Sequence, residues 1–282
     1  MHDNFIYVLG SAQDGGYPHI GCYDECCINL NDKERFISSI AIIDSKLKQS
    51  WIIDISPDIN FQLRMLHKFN YPTLSGIFLT HAHMGHYGGL INFGLEGMNI
   101  SNTPIYVFDR MEQFLKSNSV FNQLIENKNI IINNINEKID VSLNKEVVVS
   151  SFLVPHRNEL SETAGFNIKS NNKSIIYLPD IDSWQEWEIN LLDLIQNHDI
   201  LILDGTFYNK NELKRRDISK IPHPSIIESM DLMDELSTKE KNKVFFTHLN
   251  HTNKSLIKNS IEYKQIITSG YNILEDKMIF KL

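Results

Sequence analysis

The sequence predicts an α/β (α+β) protein in which two sheets pack face to face with helices outside, in one domain covering residues 1–282. Three observations predict it. Strand-rich segments come first, strands and helices then mix, and the second half repeats that order. No low-complexity linker divides the chain, and its length suits one large domain. No short-period repeat is visible, which argues against a solenoid.

Residues 5–10 read as a first strand, followed by the turn-rich loop Ser11-Ala12-Gln13-Asp14-Gly15-Gly16-Tyr17-Pro18. The apolar segments 38–44 and 50–55 flank a Lys-rich turn, the pattern of a hairpin. Ile59, Leu63 and Leu66 have helical spacing and predict a helix over 57–69, with Ser56 as N-cap and Pro57 at its first position. The apolar run 76–80 predicts a buried strand, and the apolar, Gly-containing stretch 87–98 suits a helix. A strand over 105–108 and helices over 111–117 and 120–127 follow. In the second half, strands are predicted over 146–154, 164–169, 174–178, 199–203 and 243–246. Helices are predicted over 184–196, 225–236 and 252–267, and a strand pair within 271–282 closes the chain.

Composition narrows the partners. Hydrophobic content of 42% and charged content of 22% are those of a globular chain. A net charge of −8 argues against a broad nucleic-acid-binding face. There is no run of eighteen apolar residues, so no membrane-spanning helix is expected. Met1-His2-Asp3-Asn4 lacks the basic region of a signal peptide, and the expected location is the cytoplasm. The expected partner is a small-molecule substrate, with neither nucleic acid nor membrane. Residues 111–140 are a candidate homodimer surface or a lid.

The chemistry is concentrated in Thr80-His81-Ala82-His83-Met84-Gly85-His86, where three imidazoles leave the end of a predicted strand. A neutral imidazole offers a metal its lone pair without a buried charge. His156, Asp180, Asp204 and His248 also lie at or just beyond predicted strand ends. Strand ends along one sheet edge converge on one crevice. Histidines and carboxylates gathered there describe a hydrolytic site for one or two metal ions. Zinc or iron suits mixed nitrogen and oxygen ligands, and manganese suits this much imidazole less well. Cys22, Cys26 and Cys27 form a separate cluster, which in a reducing compartment points to metal before disulfide. Its fourth ligand must come from elsewhere.

With these residues in place, the chain resembles the metallo-β-lactamase superfamily, whose usual motif is Thr-His-x-His-x-Asp-His followed by a later His, Asp and His. The resemblance covers nearly the whole chain and implies a four-layer αββα sandwich with metals at the sheet edge. Leu9-Gly10-Ser11-Ala12-Gln13-Asp14-Gly15-Gly16, Phe152-Leu153-Val154-Pro155-His156-Arg157 and His248-Leu249-Asn250-His251-Thr252-Asn253 look like the pyrroloquinoline-quinone biosynthesis protein B branch. The chain is also similar to the cyclic phosphodiesterase of phosphonate breakdown, which shares the early cysteines. By that resemblance one metal takes His81, His83 and His156, a second takes His86 and His248, and Asp180 bridges them. Asp204 and His223 would pair as a proton donor to the leaving group. His251 would join Cys22, Cys26 and Cys27 around a structural zinc. Asp14, Tyr17, His19, Arg157, Ser161, Glu162 and Tyr208 are candidates to orient the substrate, Arg157 by pairing with an anionic oxygen.

One departure stands out. The Asp of the usual motif is Gly85 here, and glycine cannot ligate. The second ion then binds weakly, or the site holds one metal, or a substrate group fills the gap. On this reading Gly85→Asp tightens the second ion. The leading expectation is a hydrolase whose metal-bound hydroxide attacks a phosphodiester, ester or lactone of a small metabolite. The alternatives are an iron-dependent hydroxylase, suggested by the pyrroloquinoline-quinone branch, and a non-catalytic metal-binding protein. The expected cofactors are one structural zinc and one or two catalytic zinc ions, with ferrous iron or manganese as alternatives at the catalytic position.

Overall fold

The computed structural model describes residues 4–28, 34–212 and 221–282. Residues 1–3, on which the reading of the N-terminus partly rests, lie outside the described residues. The first sheet holds β1 (Asn4–Gly10), β2 (Ser39–Asp44), β3 (Gln49–Ile53), β4 (Thr73–Phe78), β5 (Thr103–Val107) and β6 (Ile130–Asn134) in that order, with β14 (Ile279–Lys281) beside β1. β1, β2 and β3 run antiparallel, whereas β3 to β6 run parallel. The second sheet runs β7 (Val141–Ser142), β8 (Val148–Val154), β9 (Thr163–Lys169), β10 (Ser174–Leu178), β11 (Ile200–Asp204), β12 (Val244–Thr247) and β13 (Asn272–Ile273). Here β7 to β10 are antiparallel and β10 to β13 parallel.

Alternation along β1 explains the layers. Ile6 and Val8 face the cluster between the sheets, with Ile40, Phe78, Phe166 and Tyr177. Phe5, Tyr7 and Leu9 face the opposite way, into a cluster shared with helix residues Met111, Leu115 and Phe121. Those helices are α4 (Asp109–Ser117) and α5 (Ser119–Glu126). The outer face of the second sheet is covered by α6 (Leu191–Asn197), α7 (Ile226–Leu232) and α9 (Ile261–Thr268), through Ile195, Ile226 and Ile266. A strand buried on both faces has period-two alternation of core rather than of polarity, so every side chain of β1 is buried. The expected four layers, helices–sheet–sheet–helices, are present.

Several helices are shorter than the sequence pattern predicts, whereas α4 and α5 cover the predicted 111–117 and 120–127 to within two residues. The segment 57–69 forms α2 (Ile59–Met65), whose N-cap position is Asp58, without a side-chain cap bond, rather than Ser56, and a 3-10 turn over Leu66–Phe69. Ser56 Oγ accepts from the Asp58 amide at 3.1 Å and donates to Gln62 Oε1 at 2.9 Å. The predicted helix 184–196 reduces to α6, because the indoles of Trp184 and Trp187 leave helical register to donate to Ser229 Oγ and the Leu153 carbonyl, each at 2.9 Å. The stretch 87–98 adopts a 3-10 turn over Gly88–Phe93 after the short α3 (Met84–Tyr87). Within 252–267 the helix starts only at Ser260, whose side chain caps α9; the remaining α-helices, α1 (Glu25–Ile28) and α8 (Thr238–Lys241), are single turns. Among the described residues no helix is long and apolar enough to cross a membrane.

Candidate metal centre

Strands of both sheets deliver polar residues to one edge. His81, His83 and His86 follow β4, His156 follows β8, Asp180 follows β10, Asp204 ends β11 and His248 follows β12. All but His83 are buried there. His81 Nε2 lies 2.8 Å from His83 Nδ1, and His156 Nε2 lies 3.2 Å from that same atom. Nitrogens on one ion at about 2.0–2.1 Å sit roughly 3 Å apart, so this spacing suits a shared ion. A second group comprises His86, His248 and Asp14. Asp14 Oδ1 is 3.3 Å from both His86 Nε2 and His248 Nε2. Asp180 lies between the groups, with Oδ1 3.7 Å from His156 Nε2 and Oδ2 3.2 Å from His86 Nε2.

The rings are aimed by their outer nitrogens. His86 Nδ1 donates to Asp54 at 2.7 Å and His156 Nδ1 to Asp182 at 2.6 Å. His81 Nδ1 contacts Thr80 Oγ1 at 3.0 Å, and His248 Nδ1 contacts Thr206 Oγ1 at 2.9 Å. Each threonine hydroxyl in turn donates to a buried carboxylate, Thr80 to Asp54 and Thr206 to Asp204. Outer nitrogens that donate leave the inner nitrogens as lone pairs, the tautomer a metal requires. His86 Nε2 and Asp180 Oδ2 are buried with no hydrogen-bond partner among the described residues. A buried polar atom left so is costly unless something else occupies it, and a cation fits this donor set. Asp54 and His248 have φ of 67° and 59°, a left-handed conformation uncommon for residues other than glycine and met at functional sites.

Charge follows the same division. Burial, then the neighbouring imidazoles, holds His81 well below the usual histidine range. Burial and His156 bring His83 down to about 4. Both rings are therefore neutral near pH 7. Burial opposes protonation of His86, but Asp54 and Asp180 outweigh it and raise that ring. Burial alone would lift the Asp14 carboxyl, yet His248 and His86 hold it well below the carboxylate range.

Asp204 and His223 meet as expected, Oδ2 to Nδ1 at 2.6 Å. The His223 side chain is only 3% exposed, and its ring centre is 5.3 Å from that of His156. Burial disfavours its cation, but the Asp204 carboxylate prevails and raises it to about 9. Asp204 also accepts from the Ile181 amide and from Thr206 Oγ1, which contacts His248 Nδ1, so it braces both the segment carrying Asp180 and the His248 ring.

Cys22, Cys26, Cys27 and His251 also come together. The sulfurs of Cys22 and Cys26 are 3.9 Å apart, and those of Cys26 and Cys27 3.8 Å. Thiolates on one zinc at about 2.3 Å lie ~3.8 Å apart, so the fit is close. Burial and then the adjacent thiols push Cys26 up to about 12, a cost that a bound cation removes.

A cavity of about 650 Å³ adjoins both clusters and is lined by Asp14, His19, Arg157, Glu212, Asn250 and His251, among others. Arg157 faces it while its Nε donates to Glu159 at 3.1 Å. Ser161 Oγ accepts from the Ala82 amide and so supports the histidine loop, and Glu162 accepts from the Arg110 amide. Tyr17 and Tyr208, two candidates to orient the substrate, lie away from this cavity. Tyr208 is buried among apolar side chains, and its hydroxyl donates to Gln265 at 2.6 Å. Tyr17 is 4% exposed and packs in that same cluster, so neither phenol lines the cavity. Asp54 and Asp182 escaped the sequence reading. Asp54 ended a predicted strand and Asp182 followed Asp180 by two residues, but nothing in the sequence shows which way a side chain turns.

Glu212 accepts from Thr252 Oγ1 at 2.5 Å and the Tyr208 amide at 2.7 Å, and burial pushes its carboxyl up to about 7. An unfolded glutamate ionises near 4.5, so stability from this group falls as pH rises from there through about 7. Glu212→Gln is expected to be more stable than wild type by on the order of 1–2 kcal/mol at about pH 8, with the gap closing toward pH ~4.5. Urea denaturation across that range checks it.

Known proteins place this geometry in context. "Coenzyme PQQ synthesis protein B" of Acinetobacter baumannii (strain ACICU) is 26% identical, with 98% of this chain and 99% of that protein covered. The Zn(2+)-bound PqqB structure from Methylobacterium extorquens superposes with a TM-score of 0.80 at 20% identity, over 99% of this chain and all of that one. A structure described as a new diphosphatase from the PhnP family gives 0.71 at 21% identity, over 98% and 96% of the two chains. Residues 51–249 match the Beta-lactamase superfamily domain, and the chain belongs to that family.

Proposed function

We propose that this protein is a metal-dependent hydrolase that cleaves a phosphodiester, or a related ester or lactone, of a small molecule. One observation carries the reading: buried imidazoles converge in two groups with Asp180 between them, and the Asp204–His223 pair stands alongside. Metals held there would polarise the scissile group and lower the pKa of a bound water to about 7. His81, His83 and His156 would hold one ion, and His86 and His248 would help hold the other, with Asp180 shared. The residues do the rest. Asp54, Asp182, Thr80 and Thr206 lock the ring tautomers, Arg157 presents a cation to an anionic substrate in the cavity, and His223, oriented by Asp204, delivers a proton to the departing oxygen.

Bis-p-nitrophenyl phosphate tests this. Zinc- or manganese-dependent hydrolysis, lost with chelator, is the expected result, and no hydrolysis with either metal contradicts it. The second reading, an iron-dependent hydroxylase, is favoured by the near-complete coverage of the PQQ synthesis protein B relative. Oxygen uptake with ferrous iron and a tyrosine-like substrate, without phosphodiester hydrolysis, would support it instead. Metal binding with neither activity would leave a non-catalytic metal-binding protein.

The Cys22, Cys26, Cys27 and His251 cluster is proposed as a closed structural zinc site. It would tie the loop after β1 to the segment carrying His248. Cys22→Ser and His251→Ala are each expected to lose one zinc per chain and to melt earlier, measured by metal analysis and calorimetry. Full zinc retention in both variants would refute the assignment.

A further inference from the structure

We infer that Asp14, supplied by the loop after β1, is the carboxylate ligand of the second metal position, replacing across space the aspartate that Gly85 removes from the histidine loop. The claim rests on the two-ion reading of this centre, although not on which reaction the centre performs.

Three observations converge on it. The first is position: Asp14 Oδ1 is equidistant, at 3.3 Å, from the inward nitrogens of His86 and His248. The His86 nitrogen has no hydrogen-bond partner among the described residues. The second is mutual exclusion. A Cβ built on Gly85 would lie 2.3 Å from Asp14 Oδ1 and 2.8 Å from Asp14 Cα. The Asp14 carboxylate thus fills the space that a side chain at position 85 would enter, and only glycine there leaves room for it. The third is rigidity. Gln13 N donates to the Leu249 carbonyl and Leu249 N to the Ser11 carbonyl, both at 3.0 Å. Asn250 also hydrogen-bonds Gln13. The loop bearing Asp14 is therefore pinned to the segment bearing His248, as a ligand-bearing loop must be.

The exchange also restores charge. A centre with Asp180 alone would have one carboxylate for its cations, and Asp14 makes two. The sequence-based expectation for Gly85→Asp is consequently reversed. Alone, that substitution drives a second carboxylate into Asp14 and its backbone, and it disturbs the second ion rather than tightening it.

Zinc titration of the metal-free chain by calorimetry, with zinc counted per chain after dialysis, tests the inference. Asp14→Asn, which keeps the shape, and Asp14→Gly are both expected to lose one zinc per chain and to weaken the corresponding binding step at least tenfold. The zinc of the cysteine cluster should remain. Gly85→Asp alone should not gain affinity. Unchanged zinc count and affinity in Asp14→Asn would overturn the assignment. Zinc counting does not depend on turnover. A wild type that fails to hydrolyse phosphodiesters but loses an ion with Asp14 would sink the hydrolase reading and keep this one.

Discussion

Asp180→Asn is expected to reduce metal-dependent hydrolysis by about a thousandfold or more and to lower the metal count at the histidine centre from two to one or none. The carboxylate is 2% exposed, and its two oxygens face His156 and His86 separately. An amide there keeps the shape but turns a donor N–H₂ toward one of those positions and removes the shared negative charge. Losing metal-derived stabilisation worth several kcal/mol corresponds to roughly three decades in rate. The amide keeps the volume of the carboxylate and His86 keeps Asp54 as its partner at 2.7 Å, so a melting temperature near that of wild type in metal-free protein is part of the expectation. Full activity and an unchanged metal count would remove Asp180 from the bridging position.

His223→Ala is expected to have the second-largest effect, and a selective one. With an alkoxide leaving group the loss should reach about 10²–10⁴-fold, the usual range for a positioned general acid. With a p-nitrophenolate leaving group, which departs without a proton, the loss should be much smaller. The contrast follows from geometry. His223 is buried beside His156, and Asp204 holds its Nδ1 at 2.6 Å, so the imidazolium is stabilised where a leaving oxygen would depart. Asp204→Asn should reproduce the selectivity but also loosen the centre, since Asp204 accepts from the Ile181 amide and from Thr206, which in turn contacts His248. Equal losses with both leaving groups would make His223 a structural residue.

The legible part of the molecule was what periodicity and strand ends can carry. Continuous apolar runs located the strands, and polar residues at their ends located His81, His156, Asp180, Asp204 and His248 at one edge. What lay beyond reach depended on direction in space. Asp54 and Asp182 brace the rings of His86 and His156 by turning inward from loops, while Tyr17 and Tyr208, near the motifs in sequence, turn away into apolar packing. The 184–196 segment shows the limit of helical spacing: two indoles seeking hydrogen bonds to Ser229 and Leu153 override it. Gly85 showed in sequence that a carboxylate was missing. That Asp14 occupies the vacated space required coordinates, because the two residues are far apart along the chain and meet only when the loop after β1 is pinned to the His248 segment.

The most direct test of the account is the number of metal ions bound per chain in wild-type protein purified without chelator, measured beside a Cys22→Ser/Cys26→Ser variant. Three ions in the wild type and two in the variant are the predicted result. A single ion in the wild type that disappears with the cysteines would contradict it, because the histidine centre would then hold none.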